Sequence, residues 1–266
     1  MKDVIEAVPL SVREQGNAGG PALLILHGLF GSAMNWGRIA RALEADHHIF
    51  LLDLRNHGQS PHHPDMSYPT MAGDVLEVMN THQLQRATVL GHSMGGKVAM
   101  QLALTNGDRL RGLIVADIAP VRYGGNGHGR LIDAMARLDL ERLGSRTRAS
   151  EDLAPAVPEP GIRQFLLTNL VKQDGAWRWR IPLDILRDNL DGIGSWPDTP
   201  GTYDGPALFV HGGKSDYVSA QGRKLISKQF PAAAIATMDN CGHWLHAEDP
   251  EGFVDHVGGF LQQISG

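Results

Sequence analysis

Apolar residues fall along the chain in two alternating kinds of segment. Short continuous runs have strand length and β-favouring residues: 7–13 (AVPLSVR), 22–27 (ALLILH), 47–53 (HHIFLLD), 87–92 (ATVLGH), 110–118 (LRGLIVADI) and 206–212 (PALFVHG). Between them lie stretches with apolar residues three and four apart. In 33–45 these are Trp36, Ile39, Ala40 and Leu43; in 69–83 they are Met71, Val75, Val78 and Met79, behind a Pro-Thr start. Helices are also expected from Met94 to about Asn106, near 219–229, and from Pro250 to about Ile264, with a short strand over 233–238. Strands that are apolar throughout and alternate with helices predict an α/β fold with a mostly parallel sheet covered on both faces.

The alternation stops at about residue 120 and resumes at about 205. The intervening segment carries helical patterns (131–144 and 161–172) but no clear core strand, and it is rich in Pro, Gly and Arg. The expected organisation is therefore a core of 1–119 and 205–266 with a helical cap, 120–204, inserted over the sheet's C-terminal edge. That edge is where open α/β sheets bind ligands.

Composition narrows the class. The chain has 266 residues, 42% apolar and 20% charged, with a formal net charge of -5 and no basic run. A soluble globular protein is expected, and no nucleic-acid partner. Cys241 is the only cysteine, so no internal disulfide can form. The first 16 residues lack the apolar core of a signal peptide, and no run approaches a membrane span, so a cytoplasmic location is expected. The sequence does not indicate an oligomeric state.

Three segments carry the candidate chemistry. Gly91-His92-Ser93-Met94-Gly95 fits G-x-S-x-G directly between a strand and a helix, the setting in which a serine is pushed out as a nucleophile. Side chains at 91 and 95 would clash in so tight a turn, and the helix start offers N–H groups to negative charge. His27-Gly28-Leu29-Phe30-Gly31 ends the strand at 22–27, so the Leu29 N–H, with that of Met94, is expected to form an oxyanion hole. Asn240-Cys241-Gly242-His243-Trp244 lies between the last short strand and the last helix. Its histidine, His243, is the expected general base, since the histidine comes last in the chain order of this chemistry. His246, close by, is expected to pack or cap, and His27 to be structural. An acid must orient the imidazole. Asp117, ending the strand at 110–118, and Asp216, in the loop after 206–212, both qualify, and position alone leaves the choice open. Neither His47-His48 nor His62-His63 has metal-ligand spacing, and no phosphate-binding loop is seen, so no metal and no cofactor are expected.

The segments HGLFGS, DLRNHGQS, GHSMGGK, VADIAP and GHWLHAEDP together resemble the YbfF-type bacterial carboxylesterases and their mitochondrial abhydrolase relatives. The resemblance covers nearly the whole chain and implies the α/β-hydrolase fold. In most such hydrolases the acid stands three residues before the valine that ends the loop after 206–212. Counted from Val218 that place holds Ser215, with Asp216 one residue off. The resemblance implies Asp117 instead, with Asp216 the alternative. The loop Asp53-Leu54-Arg55-Asn56-His57-Gly58-Gln59-Ser60 is similar to a D-x-R-G-x-G-x-S loop of the superfamily and is expected to be scaffold, with Arg55 paired.

The expected function is that of a serine carboxylesterase acting on a small-molecule ester or thioester through an acyl-enzyme. A thioesterase or acyl-CoA hydrolase, an acyltransferase, a perhydrolase and a C–C bond hydrolase remain alternatives on the same fold. Phe30, Trp196 and Trp244 are the expected substrate-binding residues. Trp196 sits in a Gly-Ser-Trp-Pro turn, where a ring can project instead of packing along a helix.

Overall fold

The computed structural model describes residues 6–124 and 127–265. The chain opens with β1 (Val12–Gly16) and β2 (Ala22–Leu26), then a 3₁₀ turn (Ala33–Trp36) leading into α1 (Gly37–Leu43). There follow β3 (His48–Leu52), α2 (Tyr68–Thr81), β4 (Ala87–His92), α3 (Met94–Asn106) and β5 (Leu110–Ala116). The chain then forms α4 (His128–Ala136), α5 (Arg146–Leu153), α6 (Pro160–Leu167), β6 (Leu170–Gln173), β7 (Ala176–Trp179), α7 (Leu183–Asp188) and α8 (Leu190–Gly194). It returns through β8 (Ala207–Gly212), α9 (Ala220–Gln229), β9 (Ala233–Met238), α10 (Leu245–Glu248) and α11 (Pro250–Ser265).

Seven strands form one sheet in the order β1-β3-β2-β4-β5-β8-β9. Only β1 runs antiparallel to its neighbour. The continuous apolar runs are its centre. Along β2, Leu24 and Leu26 join the core on one face, Leu23 and Ile25 the core on the other. Alternation with a period of two sends successive side chains to opposite faces, so a strand buried on both faces must be apolar throughout. α3 runs inside this packing, with ten of its 13 residues buried. Among the described residues no helix is long and apolar enough to cross a membrane.

Two elements differ from the sequence reading. The first strand starts at Val12, not residue 7. Pro9 has no N–H to offer a ladder, and the polar backbone nearby goes to side chains outside the sheet: Val8 N–H to Asp74 Oδ1 on α2 (2.8 Å), Ser11 N–H to Ser60 Oγ in the 53–60 loop (2.8 Å). The segment 161–172 is not one helix. It ends at Leu167, and Leu170–Gln173 pairs antiparallel with Ala176–Trp179. The two residues between, Asp174 and Gly175, have φ of 51° and 84°. Left-handed backbone at both central positions is the two-residue hairpin turn that Asp-Gly favours.

Candidate active site

β4 ends at His92 and α3 begins at Met94, so Ser93 alone makes the turn between them. Its backbone sits at φ 53° and ψ -118°, a sparsely populated region for a residue with a Cβ. The flanking glycines make the turn possible. A Cβ on Gly91 would lie 2.2 Å from the Gly95 carbonyl oxygen, and one on Gly95 would lie 2.5 Å from that of His27. Two hydrogen bonds pin the turn: Ser93 N–H donates to Ala116 O (3.0 Å), and Ser93 O accepts from Lys97 N–H (3.1 Å).

The loop between β9 and α10 brings His243 Nε2 to 3.1 Å from Ser93 Oγ. Its Nδ1 lies 2.7 Å from Asp117 Oδ2. With Nδ1–H donating to the carboxylate, Nε2 presents its lone pair to the serine hydroxyl. Asp117 follows β5 directly with φ 49° and is fully buried. Besides the imidazole it accepts Gly212 N–H at Oδ1 (2.9 Å) and the Ser215 hydroxyl at Oδ2 (2.5 Å). Asp216 is exposed, and no hydrogen bond joins it to His243. Of the two aspartates left open by position, the structure brings Asp117 to the imidazole and leaves Asp216 outside. Tyr217, which no pattern in the sequence singled out, stacks on the His243 ring (centroids 4.1 Å apart, planes 19° apart).

Behind His243 the rings are locked and neutral. His92 Nε2–H donates to His243 O (2.8 Å), and His246 stacks on Trp36 at 4.3 Å. Burial pushes His246 down to about 3, helped by the neighbouring His243, and holds His92 well below the usual histidine range. His246 is thus a packing residue without contact to Ser93 Oγ.

The turn after β2 abuts the serine: a Cβ on Gly28 would stand 3.2 Å from Ser93 Cβ. Two buried histidines shape it. His27 donates from Nδ1 to Gly28 O (2.8 Å) and accepts Leu54 N–H at Nε2 (3.0 Å). His57 donates from Nδ1 to Arg55 O (2.9 Å) and accepts Phe30 N–H at Nε2 (3.2 Å). Burial lowers them to about 4 and about 3, so both are neutral at neutral pH. Phe30 N–H is thereby used, and Gly31 N–H goes to Gly28 O (3.0 Å). Among the described residues the N–H groups of Leu29 and Met94 donate to no other group of the chain, and both residues lie beside Ser93. Met94 is also the first residue of α3, where the helix dipole favours negative charge.

The 53–60 loop supports this turn. Asp53 accepts Ala33 N–H (2.7 Å) and Gln59 N–H (2.9 Å), and Arg55 forms a buried two-pronged pair with Asp74 (both contacts 2.7 Å). Asn56, where the superfamily pattern has glycine, takes φ 67°, which asparagine tolerates, and exchanges two 2.8 Å hydrogen bonds with the His63 backbone.

Ser93 opens into a cavity of about 210 Å³, walled by Gly28, Phe30, His128, Phe165, His243 and Trp244. The structure thus brings Phe30 and Trp244 to the cavity at Ser93. Trp196 is not: its Nε1–H donates to Gln229 Oε1 (3.2 Å), its ring lies against Tyr68, and it borders a separate surface pocket with Pro120 and Pro197. A half-buried ring in a proline turn here ties the inserted segment to α9. His128 and Phe165 come from that segment and carry no signal of their own in the sequence. Among the described residues no cluster of His, Cys, Asp and Glu side chains could hold a metal ion.

The family described as alpha/beta hydrolase fold matches residues 21–250. Two relatives are similar over almost the whole chain. The Mus musculus protein named sn-1-specific diacylglycerol lipase ABHD11 is 42% identical over 265 residues, 97% of this chain and 86% of that protein. Esterase YbfF of Escherichia coli is 39% identical over 247 residues, 93% of this chain and 95% of that protein. A solved structure titled marine microorganism esterase superposes with a TM-score of 0.93 at 37% identity, covering 96% of this chain and all of the other.

Proposed function

The chain belongs to the alpha/beta hydrolase fold family and is a carboxylic ester hydrolase, and we propose that Ser93, His243 and Asp117 are its nucleophile, base and acid. The observation that carries this reading is the unbroken chain of hydrogen bonds, 2.7 Å from Asp117 to His243 and 3.1 Å from His243 to Ser93. As Ser93 Oγ attacks the ester carbonyl carbon, His243 Nε2 takes the hydroxyl proton. The buried Asp117 carboxylate fixes the imidazole tautomer and stabilises the imidazolium. The carbonyl oxygen, now negative, receives the free N–H groups of Leu29 and Met94, each such donor being worth about 3 kcal/mol in the transition state. His243 then gives its proton to the departing alcohol. Water, deprotonated by the same imidazole, attacks the acyl-enzyme; the acid leaves and Ser93 recovers its proton.

Residues 120–204 serve in this reading as a cap that completes the substrate cavity. Support comes from His128 and Phe165 in its wall, and from Asn169, whose Nδ2–H donates to Phe30 O (2.8 Å) and ties the segment to the oxyanion turn. Phe30 and Trp244 line the apolar side of the substrate site. The test is Ser93→Ala, expected to lower ester turnover at least about 10³-fold in a folded protein. Turnover retained by the folded variant contradicts the assignment.

A further inference from the structure

The cavity at Ser93 has a neighbour. Ile162, Phe165 and Trp244, in its wall, also wall a groove of about 430 Å³ between α6 and α10, completed by Gly161, His246 and Ala247. Leu29, Ser93 and Met94 border a second, far smaller space, of about 20 Å³, which shares no lining residue with the groove. Tyr68, Lys97, Ile118, Tyr123 and Ile193 close it. Its floor is held firmly: Lys97 Nζ donates to Gly194 O (3.1 Å) and Ser195 O, and lies 4.7 Å from the Tyr123 ring centroid. A space of that size takes about one or two heavy atoms.

The reaction assigns a part of the substrate to each side. The leaving oxygen must come within reach of His243 Nε2, which protonates it, while the carbonyl oxygen faces the N–H groups of Leu29 and Met94. The ester therefore lies across Ser93 with its alcohol toward the His243 segment and its acyl end toward the small pocket. One wall of the groove, formed by Trp244, His246 and Ala247, belongs to the His243 segment. We infer that the groove holds the alcohol of the substrate and the small pocket its acyl group, so that the enzyme prefers short-acyl esters of long apolar alcohols. This rests on the nucleophile, base and oxyanion assignments above.

Two ester series test it on the purified enzyme: acetates of primary alcohols from ethyl to decyl, and ethyl esters of acids from acetate to decanoate. In the acetate series kcat/KM is expected to rise about two- to fourfold per methylene until the groove is filled. In the ethyl-ester series it is expected to fall once the acid outgrows butyrate. Gly161→Leu and Ala247→Trp place bulk in the groove at two exposed positions, where a Cβ on Gly161 meets nothing within 4 Å. Each is expected to flatten the acetate series, read as the decyl-to-ethyl ratio within the variant. A rise with acid length and none with alcohol length reverses the two sides and overturns the inference. So does an acetate series that neither variant alters, or one that is flat in the unmodified enzyme. Turnover of either series that survives Ser93→Ala is a failure of the nucleophile assignment itself, distinguishable from a flat series that Ser93→Ala abolishes.

Discussion

The Ser215 hydroxyl and the His243 imidazole meet on one oxygen of Asp117, Oδ2, at 2.5 and 2.7 Å. In most α/β hydrolases the place held by Ser215 carries the acid itself. On the reading proposed above the acid stands instead at the end of β5, one strand across the sheet, where the N–H of Gly212, the last residue of β8, and the hydroxyl of Ser215, in the loop that follows, hold the Asp117 carboxylate. Both strands end beside the same histidine because β5 and β8 are neighbours.

Asp117→Asn is accordingly expected to lower kcat by up to ~10⁴, since only the carboxylate holds the tautomer that leaves Nε2 free. Asp216→Asn, at an exposed position without contact to His243, is expected to change it little. Ser215→Ala removes one charge-assisted hydrogen bond and is expected to cost about tenfold. Steady-state kinetics on the three purified variants gives the order; a severe loss in Asp216→Asn alone contradicts it.

Buried neutral histidines make the fold acid-sensitive. His27, His57 and His246 are held by burial to about 4, about 3 and about 3, and His92 well below the usual range. The unfolded chain binds these protons once pH falls below about 6.5; the folded chain refuses them until its own lower values. Protons therefore favour unfolding, and stability is full above about 6.5 and lost as pH falls toward about 4. Near pH 5 each such histidine costs about 2 kcal/mol. Urea midpoints across this window are expected to fall steeply, with a slope shallower by one proton in His246→Gln. A midpoint independent of pH contradicts this.

The Arg55–Asp74 pair is a structural anchor, its two side chains 0% and 1% exposed. Asp74→Asn strands the guanidinium charge inside the protein and is expected to cost about 3–5 kcal/mol. Urea unfolding measures that loss. Turnover per folded molecule is expected to stay near that of the unmodified enzyme, because neither residue borders the cavity at Ser93.

What the chain reveals before folding depends on how many residues a feature constrains. The turn at 91–95 is legible because the backbone geometry forces glycine at two fixed offsets from a serine, between a strand and a helix. His243 is legible from its place after the last strand. The acid is less so: β5 and the β8 loop end side by side, and only the resemblance to known sequences separates Asp117 from Asp216. Trp196 misleads because a half-buried ring in a proline turn looks alike whether it faces substrate or ties a segment to α9. The hairpin at 170–179 is hidden by a run, Phe165 to Val171, apolar enough to read as helix, although Asp174-Gly175 carries the turn signal. Tyr217, His128 and Phe165 reach the site only through the tertiary path of their segments, which no local period encodes.

Covalent labelling of Ser93 probes the proposed nucleophile most directly. A fluorophosphonate reacts when an activated hydroxyl attacks phosphorus and fluoride leaves. Intact-mass analysis followed by peptide mapping is expected to find one adduct per chain, on Ser93, with turnover lost in proportion to labelling and no adduct on Ser93→Ala. An adduct on another residue that tracks the loss of turnover, or full turnover in a chain labelled at Ser93, contradicts the assignment.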